Sequence, residues 1–315
     1  MPNTSPEPSL LEEIERRAVE MARGTGDILA HHFGKSISVE YKDKNQSDPV
    51  SAADHESQEF LVGEIKRSFP DHDTLGEEDD KTKDAEGDKL PDFVWVLDPL
   101  DGTKNFLAGV PVYASSIGVL YRGRPVAGAI FLPWPGAANG IVIHARQGGG
   151  AYINDDPLPQ LEQAEPVANR LAALPGWAWR SFKVKKEMQG KVGEIRVTGS
   201  LAYEMALVAT GTLQYMVTTG PMLWDVAAGV AIIREVGGTA ATARTHTRFG
   251  GFQSVEWTKL DSFVADWKPN EVSKKDLRKW STPMLCGSTG VVEALARNLD
   301  FGTRWKPRLG RRRRR

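Results

Sequence analysis

A single cysteine, Cys286, is the only thiol among 315 residues. One thiol cannot close an intrachain disulfide, and without a C-x-x-C or Cys/His cluster there is no zinc framework to read. A reducing, cytoplasmic setting is the expectation. Long apolar runs are also missing: no stretch reaches the ~18 to 20 residues that a membrane-spanning helix needs. The opening MPNTSPEPSLLEEIERR has no basic start followed by an apolar core, so no secretory leader is expected and the chain reads as soluble. Histidine offers no mechanism either. His31, His32, His55, His72, His144 and His246 are scattered outside any HExxH or Ser/Cys nucleophile context, and each is expected on the surface or in a loop.

What is present is a globular composition. Apolar residues at 40% and charged residues at 26% supply enough core that disorder is not the default. The length permits two modest domains or one large layered one. Net charge is -1, but five arginines close the chain, so the remainder carries -6. A mildly acidic body suits clustered carboxylates. The Arg311 to Arg315 run reads as a flexible charged tail; no aromatic-interleaved basic surface accompanies it, so nucleic acid is not an expected partner.

Periodicity organises the rest. Leu10, Leu11, Ile14, Ala18, Met21, Ala22, Ile28 and Leu29 recur at helical spacing and predict a first helix, capped by Ser9 and running to about residue 33. Residues 53–69 predict a second helix with Asp54 in its first turn. Phe93 to Leu97 is a short apolar run that predicts a buried strand. Residues 113–121, 125–132 and 140–145 predict an antiparallel sheet, and Gly148-Gly149-Gly150 a hairpin turn. The polar stretch 155–192 marks a boundary between halves at 1–160 and 161–310, with 311–315 as tail. Beyond it, strands at 195–197 and 213–218 alternate with helices at 201–210 and 225–236. Residues 239–285 give no readable path, and a last strand and helix are expected at 283–287 and 291–299. The expected class is α+β to α/β, with helices layered on two β-sheets.

The most informative segment is Asp98-Pro99-Leu100-Asp101-Gly102-Thr103. Two acids three positions apart, where the strand gives way to a turn, can converge with the Leu100 carbonyl between them. Hard oxygen donors of this kind suit magnesium. Gly102 lets the backbone pass close to a ligand, and the N–H groups of Gly102, Thr103 and Lys104 can open a helix toward a phosphate. Taken alone, the same residues also describe a capped turn.

Three further acidic segments accompany it: Asp48-Pro49-Val50-Ser51-Ala52-Ala53-Asp54, Leu75-Gly76-Glu77-Glu78 and Trp224-Asp225-Val226-Ala227-Ala228-Gly229. In this order, and with DPLDGTKNF and WDVAAG nearly unmodified, they resemble the inositol monophosphatase family of metal-dependent phosphatases. The patterns there read roughly D-x-V-T-x-x-D, G-E-E, D-P-[IL]-D-G-T-x-N-F and W-D-x-A-A-G. The resemblance spans roughly residues 10–240 and takes in Gly199-Ser200 before a helical run and Arg234-Glu235-Val236-Gly237-Gly238 at the end of another.

That resemblance implies a sugar-phosphatase-like sandwich and magnesium-dependent hydrolysis of a small phosphorylated metabolite, with two or three Mg2+ ions per site. It further implies lithium sensitivity and, as is common in the family, a homodimer. Glu77, Asp98 and the Leu100 carbonyl would hold a first ion, and Asp98, Asp101 and Asp225 a second. Asp54 and Thr103 would activate the attacking water, Glu77 being counted with them as catalytic. Asp101, Gly102, Thr103, Gly199 and Ser200 would meet the substrate. Asp54 and Asp225 could equally be helix N-terminal acids, while Glu78, Asp79, Asp80 and Asp84 read as a solvated acidic run. Trp224 is expected to pack, and Lys42 or Lys44 to gate the site. Inositol-specific members commonly carry an acid seven positions before the second-motif Asp, where this chain has Thr218. Histidinol phosphate, or another sugar or nucleotide monoester, is therefore an alternative to inositol phosphate, with Asn105 speaking against nucleotide 3'-phosphates. From another class comes a non-catalytic binding protein that docks its Arg tail on nucleic acid.

Overall fold

The computed structural model describes residues 5–35, 39–41, 49–79, 89–176, 182–247, 253–264, 267–268 and 271–301. Lys42, Lys44, Asp80, Asp84 and the Arg tail lie outside them.

Helix α1 (Pro8–His32) begins with Pro8 in its first turn, where the missing N–H costs nothing, so Glu7 and not Ser9 is its cap. It buries Leu11, Ile14, Ala18, Met21, Ala22 and Leu29 as one stripe. Strands β1 (Val39–Tyr41) and β2 (Pro49–Ser51) form an antiparallel ribbon that leads into α2 (Ala52–Ser68). A seven-stranded sheet follows in chain order. Its strands are β3 (Asp73–Gly76), β4 (Phe93–Asp101), β5 (Ala114–Tyr121), β6 (Arg124–Leu132), β7 (Ile141–Arg146), β8 (Gly150–Ile153) and β9 (Asp156–Pro157). Only the β3–β4 pair is parallel. The short helix α3 (Thr103–Leu107) leaves the end of β4.

The second half adds β10 (Leu171–Ala173), β11 (Phe182–Val184), β12 (Glu194–Arg196), α4 (Leu201–Ala209), β13 (Tyr215–Thr218) and α5 (Leu223–Glu235). It closes with β14 (Gly238–Thr247), β15 (Gln253–Lys259), α6 (Lys274–Arg278), β16 (Met284–Ser288), α7 (Thr289–Asn298) and β17 (Leu299–Phe301). Six of these strands make a mixed sheet in the order β12-β10-β13-β16-β14-β15, while β11 and β17 pair separately. The unreadable stretch 239–285 thus holds a long antiparallel hairpin, with Ala241 opposite Lys259 and Thr247 opposite Gln253.

Among the described residues, three cores separate the layers. One joins α1 and α2 to the outer face of the first sheet through Ile14, Leu61, Trp95, Leu97 and Ile117. The largest lies between the sheets, where Val94, Val96 and Ile130 meet α4 and α5. The third packs α7 on the far face of the second sheet through Tyr215, Leu285 and Val291. Strand β4 is covered on both faces, which is why Phe93 to Leu97 is continuously apolar instead of alternating.

Helix α5 lies unusually close to the first sheet. Gly118 and Gly128 face each other on β5 and β6, and a β-carbon on either would meet Ala227 or Ala228 of α5 at under 3 Å. Small residues on both sides let the backbones approach, so the Ala-Ala of WDVAAG is a packing requirement that fixes where Asp225 stands. His144 departs from expectation, since it stands on β7, whereas His72 lies in the loop before β3 as expected. His72 is stacked between Phe69 and Phe93 and lies 3.0 Å from the Trp95 indole N–H, while His144 is paired with Glu15 at 2.8 Å. Scattered spacing says nothing about packing: aromatic rings flank His72, while His144 is held by Glu15 and the Asn154 carbonyl.

Candidate active site

Alternation along β4 sends Leu97 outward and Asp98 toward the layer between the sheets, where it is 2% exposed. The ladder with β5 is then interrupted between Asp98 and Asp101. Through this bulge the Leu100 side chain enters the outer core, leaving its carbonyl as the group it can offer the site. The Leu100 N–H donates to Asp98 Oδ1 at 3.1 Å. Gly102 caps α3 at φ +94°, a left-handed conformation that side chains disfavour. A β-carbon there would also press on Ser200 and the Val112 carbonyl.

Asp54 stands at the third position of α2, where its Oδ2 accepts from the Ser51 N–H at 2.8 Å and the Ser51 hydroxyl at 2.6 Å. Its other oxygen lies 3.4 Å from Thr103 Oγ1, and that hydroxyl is 3.1 Å from the Leu100 carbonyl. One hydroxyl proton can serve one acceptor at a time, so Thr103 is poised between the two. The capping role and the reach toward Thr103 coexist because a carboxylate has two oxygens.

Asp101 is held from the other half of the chain. Its Oδ2 accepts the Ser200 hydroxyl at 2.8 Å and the Ala202 N–H at 2.5 Å, so its charge sits at the N-terminus of α4. Gly199 packs on Asn105, whose amide donates to the carbonyls of Val112 and Thr198 at 2.7 Å each. Asp225 lies inside the first turn of α5, two residues past the start, and accepts the Met222 N–H at 2.7 Å. Trp224 is buried, and its carbonyl accepts the Ser116 hydroxyl from β5. Glu77 follows β3, its N–H bonded to the Leu97 carbonyl beside Asp98.

The structure therefore gathers Asp54, Glu77, Asp98, Asp101, Thr103, Ser200 and Asp225 from segments far apart in sequence. Burial raises Asp98 well above the ordinary carboxylate range, and the charges of Glu77, Asp101, Asp225 and Asp54 push it the same way. Asp101 rises to about 7, chiefly through burial, with the Ala202 N–H and Ser200 hydroxyl holding it down in part. Asp225 is raised by burial and by the charge of Asp101.

The hidden layer of the site is wider than its motifs. Asp79, expected in solvent, accepts the Gly76 N–H, the Gln58 amide and the Arg278 guanidinium, because a turn after β3 folds it back under the sheet edge. Glu204 of α4 is buried and accepts from the Thr198 N–H and hydroxyl. Neither Asp79 nor Glu204 stands out in an acidic sequence.

A family model describing the inositol monophosphatase family matches residues 10–268. The chain belongs to the inositol monophosphatase family. Inositol-1-monophosphatase of Bacillus subtilis is 32% identical over 267 residues, which are 80% of this chain and 97% of that protein. The Nus factor SuhB of Xylella fastidiosa is 31% identical over 227 residues, 70% of this chain and 78% of its own length. Among solved structures, an IMPase of Thermotoga maritima superposes with a TM-score of 0.65 over 90% of this chain and 95% of that one, at 23% identity, a likeness of fold. The layered sandwich is thus the family's, and among the described residues no helix is long and apolar enough to cross a membrane.

The family's magnesium can be weighed against the donors. Among the described residues, no three acidic, His or Cys side chains close on one point as they stand; several carboxylates turn to protein donors instead. The donor set is nonetheless all hard oxygen, anionic and crowded in a buried place, which fits a magnesium-like cation and would not fit a soft metal.

Proposed function

We propose that this chain hydrolyses small phosphate monoesters, with magnesium held by Glu77, Asp98, the Leu100 carbonyl, Asp101 and Asp225. When bound, magnesium supplies charge neutralisation at the phosphate and makes the attacking water more acidic. The single observation that carries the reading is the chain Asp54, Thr103, Leu100, closed at 3.4 and 3.1 Å across 49 residues of sequence, beside the buried Asp98. In it, Thr103 Oγ1 accepts a proton from the attacking water as its own proton passes to Asp54 Oδ1. Ser51 keeps the second Asp54 oxygen engaged, which fixes the carboxylate's direction. Ser200 and the Ala202 N–H orient Asp101, and the backbone of Gly102 and Thr103 faces the phosphate. Gly199 and Ser200 would line the leaving-group side, since Ser200 meets Gly102 and Asp101 directly and Gly199 packs on Asn105.

For the substrate, Thr218 argues against inositol phosphate as the preferred ester. It is buried in β13 and brings no carboxylate to grip ring hydroxyls. Histidinol phosphate or a sugar phosphate fits the same chemistry without that grip. We further propose a cytoplasmic enzyme, lithium-sensitive and dimeric, on the family's pattern, with its halves meeting near residue 160. The test is phosphate release from inositol, histidinol, sugar and nucleotide monophosphates, with magnesium and with a chelator. Magnesium-dependent release from at least one ester is expected; none from any of them overturns the proposal.

The likeness to the Nus factor SuhB supports a second reading, a binding protein in which the Arg311 to Arg315 run docks on nucleic acid. Deleting residues 311–315 should leave turnover of small esters unchanged. Nucleic-acid binding that disappears with residues 311–315, in a protein that turns over none of the esters, would favour the second reading.

A further inference from the structure

The family model stops at residue 268, yet the segment just after it is fastened to the Glu77 turn. The Leu90 N–H donates to the Val272 carbonyl at 3.1 Å, and Lys89 and Ser273 form a β-bridge. Lys274 Nζ sits 2.7 Å from Asp73 at the start of β3. Ser273 caps α6, Leu277 is buried beneath it, and the helix delivers Arg278 inward with its side chain only 9% exposed.

Arg278 spends its fork on the turn itself. One guanidinium nitrogen donates to the Gly76 carbonyl at 2.8 Å and another to Asp79 Oδ2 at 2.8 Å. The same Asp79 oxygen takes the Gly76 N–H at 2.7 Å, and its partner oxygen takes the Gln58 amide at 2.7 Å. The residues on both sides of Glu77 are therefore tied down. The guanidinium carbon also lies 6.0 Å from the centre of the Trp224 ring, next to Asp225. One buried cation thus touches two of the segments that supply acids to the site.

We propose that Arg278 is a positioning residue for Glu77. By clamping Gly76 and Asp79 it fixes the turn that aims the Glu77 carboxylate at the ion, and it sets that turn against the Trp224-Asp225 segment. A planar fork can hold a carbonyl and a carboxylate at once, which a lysine ammonium does less well. The inference rests on Glu77 being a magnesium ligand, as proposed above.

The experiment is a calorimetric titration of magnesium into the full chain without substrate, alongside phosphate release as a function of magnesium. Residues that orient ligands typically cost about 10- to 100-fold in metal affinity when removed. Arg278→Ala should bind magnesium about tenfold more weakly or worse, raise the half-activating concentration by the same factor, and recover kcat at saturating magnesium. Arg278→Lys should recover part of the affinity. Thermal melting checks the fold. Unchanged magnesium affinity in a folded Arg278→Ala overturns the inference, as does a fall in kcat at saturation with affinity intact. If Arg278→Ala does not fold, Arg278→Lys decides, and wild-type affinity in that variant overturns it. Wild-type protein that binds no magnesium sinks the proposed function along with this inference; wild-type binding matched by the variant sinks this inference alone.

Discussion

Among the described residues, carboxylates are buried in two regions, and the two are built in opposite ways. Glu15 of α1 is 6% exposed, with one oxygen 2.8 Å from His144 Nδ1 and the other 2.7 Å from Arg146. Burial alone would raise it, but those two partners outweigh burial and hold its carboxyl below the ordinary range. Around Asp98 the neighbours are other acids, and burial and repulsion act together. The first arrangement fastens a helix to β7 and is complete within the chain. The second is costly as it stands, and on the proposed function a bound cation would relieve it. A buried charge with protein counter-charges reads as structure; a buried cluster of like charges reads as a place for a ligand.

The sharpest way to break that contrast is Asp98→Asn. Losing several kcal/mol of transition-state stabilisation corresponds to a fall of about 1000-fold in magnesium-dependent phosphate release. Because the substitution removes one member of a repelling group, the metal-free variant should melt no lower than the wild type. Magnesium at 100 times its dissociation constant should stabilise the wild type by about 2.7 kcal/mol and leave the variant unmoved. Retained turnover, or a large drop in melting temperature without magnesium, would put Asp98 in the same class as Glu15.

Glu15→Ala tests the other side. It strands His144 and Arg146 and should cost about 3 kcal/mol of stability, read by denaturant unfolding, while turnover below the melting range stays near wild type. A loss of turnover without loss of stability would mean that α1 communicates with the site.

Much of the acid cluster was legible because its residues sit in tight local patterns whose geometry is set by neighbours in sequence. Asp98 and Asp101 flank a bulge at a strand end, and Asp54 sits in a first helical turn. The cores of β4 to β7 and of α1 were legible through apolar contrast. The β14–β15 hairpin was not, since TAATARTHT is made of small and polar residues whose inward and outward positions barely differ in hydropathy; Ala240, Ala241 and Ala243 are buried without looking so. Arg278 was hidden for a different reason. It lies in the charged run SKKDLRKW, where only the three-dimensional path singles out the one cation that turns inward.

Ser200→Ala probes the contact between the end of β4 and the start of α4 with a smaller effect. The hydroxyl donates to Asp101 and accepts from the Tyr203 N–H as the cap of α4. Losing the cap should cost about 1 kcal/mol, and the loosened Asp101 should weaken magnesium binding measurably in the same calorimetric titration. Unchanged affinity would limit Ser200 to capping.

The smallest effect concerns pH and Glu15 alone. Its folded carboxyl is held below the unfolded value, so the stability it contributes is fully present above about pH 4.3, the ordinary glutamate value, and is lost as pH falls through the folded one. Glu15→Gln keeps the shape of the side chain and cannot titrate. The melting temperatures of wild type and Glu15→Gln should therefore lie apart at pH 7 and approach each other as pH drops below about 4. The closing gap isolates this one carboxylate, because every other acid is common to both proteins. A gap that persists at low pH would mean that Glu15 stabilises through packing and neutral hydrogen bonds instead of charge, and the contrast with the Asp98 cluster would then be one of shape, not electrostatics.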